Sequence, residues 1–402
     1  MAKLFENKRR DFIMQRIYLD NASTTRVSNE VLSEMLPAFG DTFGNANSLH
    51  SFGRDAQNIV DKARDRVANA INAERGEIYF TSGGTEANNW ALFGLALANK
   101  SKGNHIITSS IEHHSILDTC KKLEEIGFEV TYLPVDSQGL VNIADLLHYI
   151  NQKTILVSVM ASNNEVGTIQ NLKTIATIAH EKNVLFHTDA VQAIGNFKID
   201  VKDIGIDAMT ISAHKLHGPK GVGALFLRKG VKIDNIIYGG EQERGKRGGT
   251  LNVPAIAGFG KAMEVTANNY IIDCKKLKSL RDYFVTRVME TIPNVLQNGH
   301  IHQRVAGLVS LSFLGVNGEA LTNLLDLKGI AVSTGSACSS GSREPSHVLM
   351  AMGISPEQSQ STVRFSFATD NTREQIDYVV DVLKTSVAFL RSMSPVKVQK
   401  KK

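Results

Sequence analysis

Seven short apolar or β-branched runs alternate with polar-faced segments between residues 78 and 227. The runs are nearly continuous in apolar character, which is typical of strands buried on both faces of a sheet. They are Ile78–Ser82, His105–Ser109, Val130–Pro134, Thr154–Met160, Val184–Thr188, Ala208–Ser212 and Ala224–Leu227. Amphipathic segments such as Leu172–Glu181 lie between most of them. This alternation predicts an α/β fold with a mainly parallel seven-stranded sheet covered by helices.

The pattern changes after Pro254. A helical pattern over 255–290 is followed by three strand-like runs and a last helical pattern over 373–391. The predicted strands are Val305–Phe313, Gly329–Ser333 and Thr362–Phe367. We therefore predict a large domain over 20–265. A smaller α+β domain is expected to combine 1–19 with 266–402.

The composition of the chain excludes several classes of function. The 402 residues are 42% hydrophobic and 21% charged, which is ordinary for a globular protein. The net charge of +5 comes partly from lysines near the C-terminus, and no basic stripe is interleaved with aromatics, so we expect no nucleic-acid partner. No apolar run is long enough to span a membrane, and residues 1–16 lack the apolar segment of a secretory signal.

The three cysteines also restrict the possibilities. Cys120, Cys274 and Cys338 are far apart, which argues against a disulfide framework and predicts a reducing compartment, the cytoplasm. No C-x-x-C pair suggests zinc, so we predict no metal site. Cys120 and Cys274 lie in helical patterns and are expected to be structural thiols.

A candidate catalytic lysine follows the sixth predicted strand. Ser212-Ala213-His214-Lys215 ends that strand, and a Gly-Pro-Lys-Gly turn comes next. Burial would lower the pKa of Lys215, so that its neutral amine could form a Schiff base with an aldehyde cofactor. A lysine in such a loop is more often a surface residue, so this assignment depends on neighbouring motifs.

Four other motifs fall at predicted strand ends. Asp189 could pair with the nitrogen of a pyridine ring, or cap a helix. The Gly-rich turn 81–88 opens a helix and contains Thr85, which suits a phosphate. His113 could stack on a ring and carry protons, although a solvated loop histidine is the simpler reading. Asn164 lies in the fourth motif, and all of them would meet at the edge where α/β sheets bind ligands.

The run 333–342 consists almost entirely of small residues, with Cys338 at its centre. Such a run makes few side-chain contacts, so we expect about 333–345 to form a mobile loop with an exposed thiol. A nucleophilic role for Cys338 is therefore favoured over a structural one.

Together these motifs resemble the cysteine desulfurases of the NifS/IscS type, which belong to the class-V aminotransferases of fold type I. These enzymes depend on pyridoxal 5'-phosphate (PLP). The similarity runs from Ile17 to about Pro395 and is most specific at Ser-Ala-His-Lys before Lys215 and Gly-Ser-Ala-Cys before Cys338. The resemblance implies catalytic roles for Lys215, His113 and Cys338. It also implies that the cofactor contacts are Thr85, Asn164, Asp189, Gln192, Ser212, His214, Lys215 and Thr250.

The resemblance further implies that Arg364 binds the substrate carboxylate, with Asn164 beside it, because a guanidinium forks onto a carboxylate. Thr250 would reach the phosphate of a second subunit, which implies a homodimer. L-cysteine would be converted to L-alanine, with the sulfur held as a persulfide on Cys338. The acceptor would be a protein such as an iron–sulfur scaffold, and whether the short basic C-terminus docks it stays open.

Three alternatives remain at this stage. A selenocysteine lyase or a small-amino-acid aminotransferase would share the fold and the cofactor. A non-catalytic assembly scaffold would keep the fold without the chemistry. The joint presence of Lys215, Asp189 and Cys338 favours the desulfurase.

Overall fold

A computed structural model of the chain describes residues 16–335 and 344–393. Within these ranges, twelve strands form three sheets, of seven, three and two strands. The strands are β1 (Ile17–Tyr18), β2 (Ile78–Thr81), β3 (His105–Ser109), β4 (Glu129–Leu133), β5 (Thr154–Ser158), β6 (Leu185–Asp189), β7 (Ala208–Ser212), β8 (Gly223–Leu227), β9 (Val295–Asn298), β10 (Leu308–Phe313), β11 (Ile330–Ala331) and β12 (Thr362–Ser366).

The helices of the described ranges cover both faces of the large sheet and the outside of the second one. They are α1 (Asn29–Met35), α2 (Ser51–Ala70), α3 (Gly84–Asn99), α4 (His114–Glu125), α5 (Ile143–Tyr149), α6 (Leu172–Glu181), α7 (Val201–Ile204), α8 (Gln242–Gly245), α9 (Val253–Thr291), α10 (Gly318–Asp326), α11 (His347–Ala351), α12 (Pro356–Gln360) and α13 (Arg373–Met393).

The large sheet has the strand order β2-β8-β7-β6-β5-β3-β4. Strands β3 to β7 pair in parallel, whereas β8 is antiparallel to both of its neighbours. Because β8 is reversed, β2 again runs in the direction of the parallel strands. The predicted mainly parallel seven-stranded sheet is confirmed.

Adjacent strand residues point to opposite faces of the sheet, and both faces are buried. Ile106 belongs to a core formed with α3 and α4, whereas Ile107 belongs to a core formed with α2, α6 and the start of α9. Two covered faces explain why the strand sequences are apolar almost throughout, without alternation.

The long helix α9 serves both halves of the structure. Phe259 and Met263 pack in the core of the large sheet, whereas Phe284 and Val288 pack against the three-stranded sheet β12-β10-β9. The predicted domain boundary at 265 falls inside this continuous 39-residue helix, and the division into two domains stays a prediction.

The sequence prediction missed β9, which follows α9 almost directly. Its four residues, Val295–Asn298, include two polar ones and are too few to show a strand period. At the other end of the chain, β1 pairs in parallel with β11, and Leu19 joins the core of the second sheet. Beyond this pairing, residues 20–25 continue towards the large sheet. None of the helices within 16–335 and 344–393 is both long and apolar enough to cross a membrane.

His187 is a fully buried histidine in β6. Its ring nitrogens lie 2.9 Å from Ser158 Oγ and 3.2 Å from Thr210 Oγ1. Burial lowers the pKa of His187 to about 3. Because the unfolded chain takes up this proton near pH 6.5 and the folded chain does not, the stability that neutral His187 provides is present above pH 6.5. It is lost as the pH falls from 6.5 towards 3.

We therefore expect the free energy of unfolding to fall with pH below 6.5, and to fall less steeply in a His187→Gln variant. The expected difference in slope is about 1.4 kcal/mol per pH unit. Urea unfolding of both proteins at pH 7, 6 and 5 measures it. Equal slopes would show that the acid sensitivity comes from other groups.

Candidate active site

A cavity of about 300 Å³ opens at the edge of the large sheet where β2, β3, β5, β6 and β7 end. Ligands of open α/β sheets bind at this edge. Nine of the eleven predicted site residues line the cavity. They are Thr85, His113, Asn164, Asp189, Gln192, Ser212, His214, Lys215 and Arg364.

Lys215 reaches the cavity from a single 3-10 turn, Ala213–Lys215, which follows β7 directly. Its Nζ donates hydrogen bonds to the carbonyl oxygens of Ala22, at 2.5 Å, and Ser23, at 2.7 Å. Gln192 Nε2 donates to the same Ala22 oxygen at 2.7 Å. The amine is therefore half-buried at the floor of the cavity, held where the N-terminal segment meets the large sheet.

Asp189 is the last residue of β6 and is 5% exposed. Its Oδ2 accepts a hydrogen bond from Asn88 Nδ2 at 2.7 Å, and its Oδ1 accepts one from the Val191 N–H at 2.9 Å. Both oxygens are therefore fixed in orientation. A buried and oriented carboxylate in the cavity is suited to bind a protonated ring nitrogen.

The start of α3 has features that suit an anion. The N-cap residue of this 16-residue helix is Gly83, which has no side chain to bond the free N–H groups of the first turn. A Cβ on Gly84 would lie 2.9 Å from Val191 Cγ2, so glycine lets the start of α3 approach the segment after β6 this closely. The exposed N–H groups and the Thr85 hydroxyl together suit a phosphate.

Ser212 and His214 line the same part of the cavity. Burial, with a smaller effect of Lys215, lowers the pKa of His214 to about 4. His214 is therefore neutral near pH 7, so it is suited to donate a hydrogen bond to an anion without carrying a positive charge. Ser162 Oγ, which also lines the cavity, is buried and has no hydrogen-bond partner among the described residues.

His113 is the N-cap residue of α4. Its Nδ1 accepts a hydrogen bond from the Ser115 N–H at 3.1 Å and lies 2.8 Å from Ser115 Oγ. Asn88 Nδ2 donates to that hydroxyl at 2.8 Å, so the hydroxyl proton is directed at Nδ1. The neutral ring therefore carries its proton on Nε2. Burial lowers the pKa of His113, an effect that Asp189 opposes.

Arg364 lies in β12 and is 3% exposed, yet it lines the cavity. Its Nη1 donates to the Asn164 carbonyl oxygen at 2.9 Å, which brings these two predicted substrate contacts together. Its Nη2 donates to Asp20 Oδ1 at 3.0 Å and to Ser23 Oγ at 2.6 Å. The guanidinium is thus held rigidly from two sides.

Of the two remaining predicted residues, the structure describes one. Thr250 is exposed and lies beside a separate pocket with Arg247 and Ser82. Cys338 lies outside the described residues. The placement of Thr250 leaves its predicted contact with a second subunit as a prediction.

The other two thiols differ from each other. Cys120 is fully buried in α4, and burial raises its pKa to about 12, as expected of a structural thiol. Cys274 is only half-buried, and its Sγ donates to the Gly195 and Asn196 carbonyl oxygens at 3.1 and 3.2 Å. Within the described ranges, no three His, Cys, Asp or Glu side chains are grouped to hold a metal ion.

Comparison with known proteins identifies the family. Residues 17–379 match the model of the family described as aminotransferase class-V. The chain belongs to the class-V aminotransferases. A class-V relative from Clostridium botulinum, named cysteine desulfurase IscS, is 51% identical over 95% of this chain and 96% of that protein. The resemblance seen in the motifs is confirmed.

Solved structures of similar proteins have the same fold. A NifS-like protein superposes with a TM-score of 0.89 at 40% identity, covering 94% of this chain and 100% of that one. A structure described as SspA in complex with cysteine superposes with a TM-score of 0.79 at 35% identity, covering 89% of this chain and 100% of that one. Class-V enzymes of this kind use PLP, and PLP is therefore the cofactor here.

The cavity fits this cofactor. Asp189 offers an oriented carboxylate to the ring nitrogen, and Lys215 offers an amine to the aldehyde carbon. The close approach that Gly84 permits leaves the first turn of α3 open to the phosphate. The unpartnered Ser162 hydroxyl provides one more polar contact in the cavity.

Several residues of the site had no role in the sequence prediction. Asn88 connects Asp189 to Ser115, and Asp20 pairs with Arg364. Asn88 falls one helical turn after Thr85, and this spacing was the signal that could have placed it on the cavity face of α3. Asp20 carried no such signal, because its partner is 344 residues away along the chain.

Proposed function

We propose that this chain is a PLP-dependent cysteine desulfurase, which transfers the sulfur of L-cysteine to Cys338 and releases L-alanine. The observation that carries the proposal is a single cavity that combines an amine, an oriented carboxylate, an imidazole and a guanidinium. The 51% identity to a protein named cysteine desulfurase IscS, over nearly the full length of both chains, supports it.

When bound, PLP supplies an aldehyde that condenses with amines and a ring that takes up electrons from the substrate Cα. Lys215 is the amine that we assign to covalent attachment. Asp189 would hold a proton on the ring nitrogen, because its two oxygens are oriented by Asn88 and by the Val191 N–H. Thr85, Ser212 and His214 would donate hydrogen bonds to the phosphate.

Arg364 binds the carboxylate of the incoming cysteine. Its guanidinium is fixed by the Asn164 carbonyl oxygen, so little side-chain entropy is lost when substrate binds. Asn164 and Gln192 line the same cavity and complete the polar contacts. The amino acid is thereby held by its carboxylate, with its sulfur left for reaction.

Cys338 supplies the thiolate that attacks the substrate sulfur. The C–S bond of cysteine breaks as the new S–S bond forms, so Cys338 carries the persulfide. The remaining three carbons take up a proton and leave as alanine. His113 and Lys215 are the cavity groups suited to move protons in these steps.

The direct test uses purified protein, L-cysteine and a reductant, with alanine and sulfide measured together. Equal amounts of the two products are expected. A selenocysteine lyase would act on selenocysteine and spare cysteine, an aminotransferase would need a keto acid, and a non-catalytic scaffold would produce neither product.

Arg364→Ala is expected to raise the KM for cysteine about 30- to 1,000-fold, because a charge-assisted carboxylate contact is worth about 2–4 kcal/mol. The visible spectrum of the bound cofactor should change little, since Asp189 and Lys215 stay in place. Steady-state kinetics and absorbance measure the two effects. An unchanged KM would mean that Arg364 serves packing.

We further propose that the enzyme is a homodimer. Residues 32–52 expose six large apolar side chains, of which Leu49 is 92% exposed and Phe43 is 69% exposed. The others are Leu32, Leu36, Phe39 and Phe52. An exposed apolar surface of this kind is typical of a protein interface. In the dimer, Thr250 would reach the cofactor phosphate of the other protomer.

Leu36→Asp combined with Phe39→Asp is therefore expected to shift the protein towards the monomer and to weaken PLP retention, because charges would be buried in the interface. Sedimentation velocity measures the mass, and dialysis followed by absorbance measures the retained cofactor. Leu147→Asp, an exposed apolar position outside 32–52, is the matched control. A wild-type monomer with full activity would exclude the dimer.

The sulfur acceptor that we propose is a protein thiol, such as that of an iron–sulfur scaffold. A persulfide passes its outer sulfur to an attacking thiolate by exchange, and a cysteine of a second protein can supply that thiolate. We place the enzyme in the cytoplasm, where reduced thiols persist.

A further inference from the structure

Asp20 forms an ion pair with Arg364 from outside the cavity lining. Its Oδ1 accepts a hydrogen bond from Arg364 Nη2 at 3.0 Å and one from Ser23 Oγ at 2.8 Å. Ser23 Oγ also lies 2.6 Å from the same Nη2. Asp20, Ser23 and Arg364 therefore make a closed triangle, with Arg364 almost fully buried and Asp20 19% exposed at its side chain.

Few donors of Arg364 are left for a substrate. A guanidinium has five N–H donors, and three of them serve Asp20, Ser23 and the Asn164 carbonyl oxygen. Nε has no acceptor among the described residues. A substrate carboxylate must therefore share the Arg364 guanidinium with the carboxylate of Asp20, which is already paired with it.

This pairing changes the charge that a ligand meets. Without Asp20, the buried guanidinium would present a full positive charge to the carboxylate of an amino acid. With Asp20 in contact, much of that charge is compensated, and the two carboxylates repel each other across the guanidinium. The same pair keeps the empty site from holding an uncompensated buried cation.

We propose that Asp20 is a positioning residue that limits the affinity of Arg364 for amino-acid carboxylates, so that the product alanine is released and not retained. The proposal rests on the proposed role of Arg364 in binding the substrate carboxylate. Because substrate and product both carry this carboxylate, Asp20 lowers the affinity of the site for both of them.

Asp20→Asn is the informative variant, because asparagine keeps an oxygen that can accept from Arg364 and Ser23 and removes only the charge. Calorimetric titration of the holoenzyme with L-alanine measures the effect, and the Kd is expected to fall about tenfold. Asp20→Glu, which keeps a carboxylate charge at this position, is the matched control and should not tighten binding. Ethylamine, which lacks a carboxylate, should bind Asp20→Asn and wild type equally and so reports an intact fold and cofactor.

The outcomes separate the two proposals. Tighter L-alanine binding by Asp20→Asn, with unchanged ethylamine binding, supports the role of Asp20. An unchanged or higher Kd would overturn it and show that Asp20 only orients the guanidinium. Arg364→Ala is measured in parallel, and if it binds L-alanine as well as wild type, the carboxylate role of Arg364 itself is wrong.

Discussion

Cys338→Ser is expected to lower the rate of alanine formation from cysteine at least about 1,000-fold, the scale seen when a catalytic nucleophile is removed. A hydroxyl is a far weaker nucleophile towards sulfur than a thiolate, and it cannot hold a persulfide. PLP and cysteine should still bind, because the change leaves Lys215, Asp189 and Arg364 in the cavity unaltered.

The measurement compares alanine production with cofactor absorbance in the same preparations. Cys120→Ser and Cys274→Ser are the matched controls, since Cys120 is buried with a raised pKa and Cys274 is tied to two carbonyl oxygens. Selenocysteine turnover can survive the Cys338 change, because selenium leaves without attack by an enzyme thiol. Full cysteine desulfuration by Cys338→Ser would favour a lyase instead.

Lys215→Ala is expected to abolish covalent cofactor attachment and to lower activity at least about 10,000-fold. The variant loses both the amine that forms the Schiff base and a group that moves protons in the cavity. Borohydride reduction of the wild type should fix the cofactor to a peptide containing Lys215, and mass spectrometry identifies that peptide.

Lys220→Ala provides the control, since Lys220 belongs to the Gly-Pro-Lys-Gly turn that follows Lys215 and does not line the cavity. It should keep both the covalent label and the activity. Label recovered on Lys220, or on any lysine other than Lys215, would contradict the assignment.

The large sheet could be predicted from the sequence because its strands are buried on both faces. Strands in that position consist of apolar residues almost throughout, so each one is recognisable as a short apolar run. The start and end of each predicted strand of the large sheet differ from the observed ones by two residues at most. In the second sheet, β10 begins three residues later than predicted, and β9, whose few residues carry no period, was missed.

Much of the candidate site was also predictable, for a topological reason. Parallel strands end at one edge, so motifs that follow separate strands must meet there. The sequence therefore places Lys215, Asp189 and His113 together at one edge of the sheet, although each motif alone is weak evidence. That these three side chains line one cavity could be predicted without knowing any side-chain contact.

The supporting hydrogen bonds could not be predicted. Asn88 bonds Asp189, which is 101 residues away along the chain, and Ser115, which is 27 residues away. Asp20 pairs with Arg364, which is 344 residues away. Such pairs depend on how the layers pack, and no local pattern in the sequence encodes them. The proposed contact of Thr250 with a second subunit would likewise be a property of an assembly and not of one chain.

The central claim is that Cys338 takes sulfur from cysteine. Wild-type protein incubated with L-cysteine in the absence of reductant, then digested and analysed by mass spectrometry, tests it most directly. One added sulfur atom on the peptide containing Cys338, with one alanine formed per modified site, is the predicted result. Alanine formation with no sulfur on that peptide, or sulfur on the Cys120 or Cys274 peptide instead, would contradict the account.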